Sequence, residues 1–176
     1  MQNKPSATFI LNTSVLGAYT TPNSFGSTNN AWSSSFTWNN IDLRAILGDL
    51  YDQYDTWKIG LAGQLHNVSA LTYATYDNRI GQLVMTGLDF KNCTMSSVTN
   101  RNTNQATIGY VNFATVSTTV GVVQNYNNLF MVNFSTSGNS LVNITLQYLR
   151  ISDNAICQCA TSTFPASTFI FKIYPI

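Results

Sequence analysis

Glutamate is absent from this chain: all seven acidic residues among its 176 are aspartates, and charged residues of both signs make up only 9% of it. Typical soluble proteins carry about 25%. Asn, Ser, Thr and Gln fill the polar positions instead. Long Lys and Glu side chains keep a free surface solvated and discourage association, whereas small uncharged polar groups are buried against a neighbour at lower desolvation cost. A charge-poor surface therefore fits a subunit with many neighbours; a composition bias in the source genome produces the same pattern. Histidine is nearly absent too. His66 is the only one, which removes nearly every catalytic triad and multi-histidine metal site.

Clustered basic charge is missing as well. The basic residues Lys4, Arg44, Lys58, Arg79, Lys91, Arg101, Arg150 and Lys172 are scattered and the net charge is +1, so direct nucleic-acid contact, which needs a concentrated electrostatic footprint, is not expected. No apolar run approaches the roughly 20 residues of a membrane span. The first residues, MQNKPSATFILNTSV, hold too short an apolar run for a secretory signal. The cysteines, Cys93, Cys157 and Cys159, form an odd set, and a Cys157–Cys159 bridge would close a very tight loop. Free thiols made in a reducing compartment are the expected state. The N-x-S/T sequons at Asn12, Asn67, Asn92, Asn133 and Asn143 are expected to be unused, because no secretion signal accompanies them.

What is present is strand-like alternation around one helical stretch. In Asn40–Asn67, Leu43, Ile46, Leu47, Leu50, Tyr51 and Tyr54 recur at steps of three and four, with Asn40 or Asp42 as a cap. The period then changes to two: Trp57, Ile59, Leu61 and Leu65 fall on one side, Lys58, Gly60, Ala62 and Gln64 on the other. Val142, Ile144, Leu146 and Tyr148 alternate with polar residues, after which the apolar phase slips to Leu149 and Ile151, predicting a bulge near Tyr148. Phe169, Phe171 and Ile173 give a last strand, and further strand-like runs fall at 9–15, 35–38, 71–76, 82–90, 107–116, 120–123 and 129–134. With no repeat and no linker, the expectation is a single domain over 1–176. It is all-β: an eight-stranded antiparallel jelly-roll sandwich with one short helix near 41–53. Core anchors are expected at Tyr54, Trp57, Ile59, Leu61, Ile144, Leu146 and Phe171.

Catalytic chemistry has little to stand on. Asp49, Asp52 and Asp55 share a face only on a continuous helix, where they read as the solvated side opposite the Leu/Ile stripe. Cys157 and Cys159 supply two thiolates where a structural zinc site needs four ligands. No glycine pattern cradles a phosphate. No catalytic, cofactor-binding or metal-ligating residue is assigned, no cofactor is expected, and the chain is read as a non-enzyme. Residues 20–40 are rich in Ser, Thr, Asn and Gly with Phe25, Trp32, Phe36 and Trp38 interspersed. They read as a packed loop whose aromatics, together with Arg101 from the polar stretch 93–105, are candidate contacts with neighbouring subunits.

The segment Asp49-Leu-Tyr-Asp-Gln-Tyr-Asp-Thr-Trp-Lys-Ile59 resembles the YDxYxxxKI lead-in to the third strand of single jelly-roll viral capsid proteins. The long alternating strand 141–151 followed by a last strand 168–174 is similar to the way such coats close. The resemblance implies a structural subunit of an icosahedral capsid, located in the virion, made in the host cytoplasm or nucleus and not secreted. Small single-stranded-genome coats carry a basic N-terminal arm, and only Lys4 precedes the first strand here. That departure favours a vertex (penton) or minor capsid protein of a large icosahedral DNA virus, a homo-oligomer (a pentamer favoured) contacting other capsid proteins. The alternatives are a small single-stranded-genome coat and a carbohydrate-binding β-sandwich, such as a lectin or fibre head, that uses the loop aromatics as a stacking platform.

Overall fold

A computed structural model of the chain describes residues 5–12, 19–20, 32–33, 35–66, 80–91, 105–112, 122–125, 131–136, 138–150, 158–159 and 167–176. Its elements are strands β1 (Ala7–Asn12), β2 (Tyr19–Thr20), β3 (Trp32–Ser33) and β4 (Ser35–Asp42), then helix α1 (Leu43–Leu47) with a 3-10 turn at Gly48–Leu50. Strands β5 (Thr56–His66), β6 (Ile80–Thr86), β7 (Asp89–Phe90), β8 (Gln105–Asn112) and β9 (Val122–Asn125) follow. The last four are β10 (Val132–Ser135), β11 (Leu141–Arg150), β12 (Gln158–Cys159) and β13 (Ser167–Pro175).

The first sheet runs β1-β13-β5-β10-β7, with β9 also paired to β5, and the second runs β2-β4-β11-β6-β8; β12 and β3 form a separate ribbon. All pairings are antiparallel. Strands β9 and β10 pair with successive lengths of β5, Gly63–His66 and Thr56–Ile59, so together they make one long sixth strand. Counting the long strands in chain order, the first sheet reads 1-8-3-6 and the second 2-7-4-5. That interleaving is two Greek keys wrapped into a jelly roll. The fold expected from the sequence is the fold observed.

Alternation places the core between the sheets. Phe9 and Leu11, Trp57, Ile59 and Leu61, Val132 and Phe134, and Phe169, Phe171 and Ile173 point inward from the first sheet; Phe36 and Trp38, Leu83 and Met85, Ala106 and Ile108, and Ile144, Leu146 and Tyr148 meet them from the second. The rings pack tilted or edge-on, as Trp38 does on Phe169 with centroids 6.3 Å apart and planes at 82°. Pairs of this geometry add about 0.5–1.5 kcal/mol beyond their buried area. Trp57, Ile59, Leu61, Ile144, Leu146 and Phe171 are buried, and Tyr54 is half-buried against them.

Three irregularities set the registers. On β5, Gly63 faces Ile170 and Leu61 faces Phe171, which leaves Ala62 as an extra residue. The phase flips there: Gln64 turns into the core at 0% exposure and Leu65 turns outward at 39%, opposite to the simple alternation expected. The bulge expected near Tyr148 is absent, because β11 pairs with β6 without interruption from Thr145 to Arg150. It lies on β4 instead, where four residues (Trp38 to Ile41) face three (Val142 to Ile144). Asn40 adopts φ 57° there, and its N–H donates to Asn143 Oδ1 at 2.9 Å. Leu149 is buried without a slip, because it lies on the outer face of the second sheet beside Gln82. On β8, Ile108 is the extra residue between Thr107 and Gly109.

The helix is shorter than its apolar spacing predicts. Asp42 caps it, its Oδ1 accepting from the Arg44 and Ala45 N–H groups at 2.9 and 3.3 Å, and Gly48 ends it at φ 58°. Leu43 and Leu47 are buried and Ile46 packs on the core from the same helix, while Leu50, Tyr51 and Tyr54 pack on it from a 3-10 and turn path. Asp49, Asp52 and Asp55 therefore do not share a helical face. The strand expected over 71–76, Val15, and the ends of the runs at 107–116 and 141–151 lie outside the described residues.

Candidate functional site

The described connections of the fold gather at one end of the sandwich. There α1 and its 3-10 turn join β4 to β5, Gly87 and Leu88 join β6 to β7, and residues 136–140 join β10 to β11. The turn after β6 requires glycine: Gly87 has φ +102°, and a Cβ there would lie 1.8 Å from the backbone oxygen of Asn143. A cleft of about 510 Å³ lies beside it, lined by the apolar Leu43, Leu88, Leu141 and Val142 and by the polar Asp89, Ser135, Thr136, Asn139 and Asn143.

The polar groups of the cleft are committed to structure. Thr136 Oγ1 accepts from Trp57 Nε1 at 3.1 Å and donates to the Tyr54 carbonyl at 3.5 Å, and its own carbonyl accepts from the Tyr51 hydroxyl at 3.4 Å. Asn143 Oδ1 is taken by Asn40 N–H, and Asp89 is paired with Lys91 Nζ at 2.6 Å. Ser135 stands directly across from Asp89 on the neighbouring strand. Among the described residues no group of three His, Cys, Asp or Glu side chains is placed to hold a metal ion. Among the described residues no helix is long and apolar enough to cross a membrane.

Charge is distributed unevenly over the outside. The helix-bearing end carries exposed Asp42, Asp49, Asp52 and Asp55 against one base, Arg44, which pairs with Asp52 at 2.9 Å and lies 4.9 Å from the centre of the Tyr51 ring. The outer face of the first sheet presents Lys58, Lys91 and Lys172, with Asp89 the one acid among its described residues. Lys172 Nζ donates to Thr8 Oγ1 at 2.6 Å on the neighbouring strand, and Ile10 and Leu65 stand exposed on the same face. The outer face of the second sheet carries one charge at its described positions, Asp42, which lies across from the exposed Leu141 and caps α1. Thr37, Thr145 and Thr86 face one another across β4, β11 and β6, with 2.8 Å between the Thr37 and Thr145 hydroxyls.

The predicted contact residues fare differently. Phe36 and Trp38 are core, at 0% and 1% exposure, because β4 begins at Ser35 and its alternation turns both rings inward. Trp38 Nε1 donates to the Asn12 carbonyl at 3.2 Å and so ties the two sheets together. Neither is a contact surface of the folded chain. Trp32 lies on β3, its backbone paired with Cys159; Phe25 and Arg101 lie outside the described residues. Sequence reasoning missed the lysine-bearing face. Alternation shows that Lys58 and Lys172 leave their strands on the outer side, but only the β5–β13 pairing puts them on one surface.

A comparison with known protein families finds no match, and a search of curated proteins finds none. Among solved structures, the chain is similar to the cryo-EM structure of the giant freshwater prawn Macrobrachium rosenbergii extra small virus virus-like particle, with 8% identity over 99% of this chain and 80% of that chain and a TM-score of 0.28. A likeness at that score carries no inference about function.

Proposed function

We propose that this chain is a non-enzymatic structural subunit of an icosahedral virus capsid, one jelly-roll domain that associates with copies of itself and with other capsid proteins in the virion. The observation that carries this reading is the strand order, 1-8-3-6 facing 2-7-4-5, an architecture shared by capsid, lectin and cupin domains. Within that set, the scarcity of charge over the chain as a whole favours a protein that buries its surface against neighbours. The resemblance of the Asp49–Ile59 segment to single jelly-roll coats supports the capsid role, and the finer reading is a vertex (penton) or minor capsid protein, with a pentamer the favoured ring. A sugar-binding reading loses part of its support, since Phe36 and Trp38 are core and no aromatic residue lines the cleft at the helix-bearing end.

Light scattering on the purified full chain, with an absorbance ratio for nucleic acid, tests the proposal. A discrete, nucleic-acid-free oligomer is the expected result. Large particles carrying nucleic acid would replace the vertex assignment with a small-genome coat. A monomer at every concentration would overturn self-association and turn attention to sugar ligands.

A further inference from the structure

We propose that the lysine-bearing outer face of the first sheet is the docking surface for the acidic, helix-bearing end of a second copy of this chain. The inference deepens the capsid-subunit reading and rests on its premise of self-association. Its argument is charge complementarity. Among the described residues of a chain with so few charges, most acids lie at the helix-bearing end and most lysines on the outer face of the first sheet. Asp42, Asp49, Asp52 and Asp55 lie within the β4–β5 connection, while Lys58, Lys91 and Lys172 point outward from β5, the end of β7 and β13.

Internal pairing leaves a complementary remainder on each side. Asp42 is used as the helix cap and Asp52 is held by Arg44, which leaves the exposed carboxylates of Asp49 and Asp55 without a partner among the described residues. On the sheet, Lys91 is held by Asp89 and Lys172 touches only the uncharged Thr8. Exposed Lys58 has no partner among the described residues. Each surface also carries apolar area: Ile10 at 57% and Leu65 at 39% exposure on the sheet, Leu141 at 57% at the helix-bearing end. Exposed ion pairs add little affinity but choose partner and register, and the apolar groups beside them supply the burial. Because the two surfaces are different patches of one chain, the contact is heterologous. Repeated from copy to copy, it closes into a ring when the rotation allows. An anionic polymer on the lysine face is the competing occupant.

The test uses charge reversal and re-pairing on the full chain. Lys58→Glu with Lys172→Glu makes both surfaces acidic, and Asp49→Lys with Asp55→Lys makes both basic. Each double variant alone is expected to associate at least about tenfold more weakly than wild type, with an unchanged melting midpoint, because like charges then face each other. An equimolar mixture of the two is expected to recover association, since each variant's reversed surface meets an opposite charge on the other. Wild-type association is expected to weaken as salt rises from about 0.05 to 0.5 M, as the Debye length shortens. The neutral pair Lys58→Gln and Lys172→Gln, expected to fall between wild type and reversal, guards against a reversal variant that fails to fold. Variants that assemble as wild type does, or a mixture that recovers nothing, would overturn this contact while leaving the capsid reading in place. A wild-type chain that stays monomeric overturns both. Nucleic acid bound to wild type and lost in the lysine variants would give the face to that polymer instead.

Discussion

The Tyr148 hydroxyl donates a 2.8 Å hydrogen bond to Gln64 Oε1 across the interior of the sandwich, joining β11 of the second sheet to β5 of the first. Both residues are buried, at 3% and 0% exposure. Gln64 faces inward only because Ala62 bulges out of the β5 ladder, so the bond reports the bulge as well as the sheet pairing. Tyr148→Phe is expected to cost about 1–2 kcal/mol, the net value of a buried hydrogen bond plus an acceptor left short of a donor. Gln64→Leu should cost at least as much, since it strands a buried hydroxyl. The double variant should be more stable than the sum of the two predicts. Denaturant melts of all four proteins give the coupling directly; a coupling of zero would mean that the two groups do not depend on each other.

Gly87 and Gly48 both have positive φ, but only Gly87 is also enclosed by backbone, at Asn143. Gly87→Ala must displace that strand, and a loss of more than about 2 kcal/mol is expected. Gly48→Ala meets nothing within 4 Å, so it should cost only the backbone term, about 1–2 kcal/mol. Thermal melts that rank the two the other way would show that the β6–β7 turn does not approach β11 this closely.

Asn40 holds its left-handed conformation with the help of the Asn143 side chain. Asn40→Gly should be nearly neutral, and Asn40→Val should lose about 1–2 kcal/mol, because a branched side chain clashes at that φ. Asn143→Ala removes an exposed hydrogen bond and should cost about 0.5 kcal/mol, the low end of the usual range. Equal effects of Gly and Val at position 40 would place the bulge elsewhere.

Trp57 is the largest group joining β5 to the helix-bearing end, fully buried and bonded through Nε1 to Thr136. Trp57→Phe keeps most of the packing and should cost clearly less than the roughly 3–5 kcal/mol of Trp57→Ala. Thr136→Val should cost about 1–2 kcal/mol by leaving the indole N–H unpaired, and intrinsic fluorescence should shift with it. By contrast, the exposed Arg44–Asp52 pair should change stability by less than about 0.5 kcal/mol when Asp52→Asn removes it.

The sequence by itself determined most of the long strands and where the helix begins, but not where the helix ends. Val142–Tyr148 and Phe169–Ile173 read as strands because side-chain direction alternates with a period of two, whatever the neighbours are. Asp42 starts the helix because a carboxylate satisfies free N–H groups within one turn, whereas the apolar spacing runs on to Tyr54, past the Gly48 at which the helix ends. The scarcity of histidine and the absence of glutamate needed no structure to interpret. Tertiary structure decided what depends on partners distant in the chain. The Ala62 bulge that exchanges Gln64 and Leu65 exists only in pairing with β13. The polar surroundings of Phe36 and Trp38 suggest loop aromatics and their spacing a short strand, and pairing with β11 turns both rings into the core. Lys58 and Lys172, far apart in sequence, share a surface only because the third and eighth long strands are neighbours. Local spacing encodes which side of its own strand a residue takes; which strand lies alongside is settled when the two sheets close over one core.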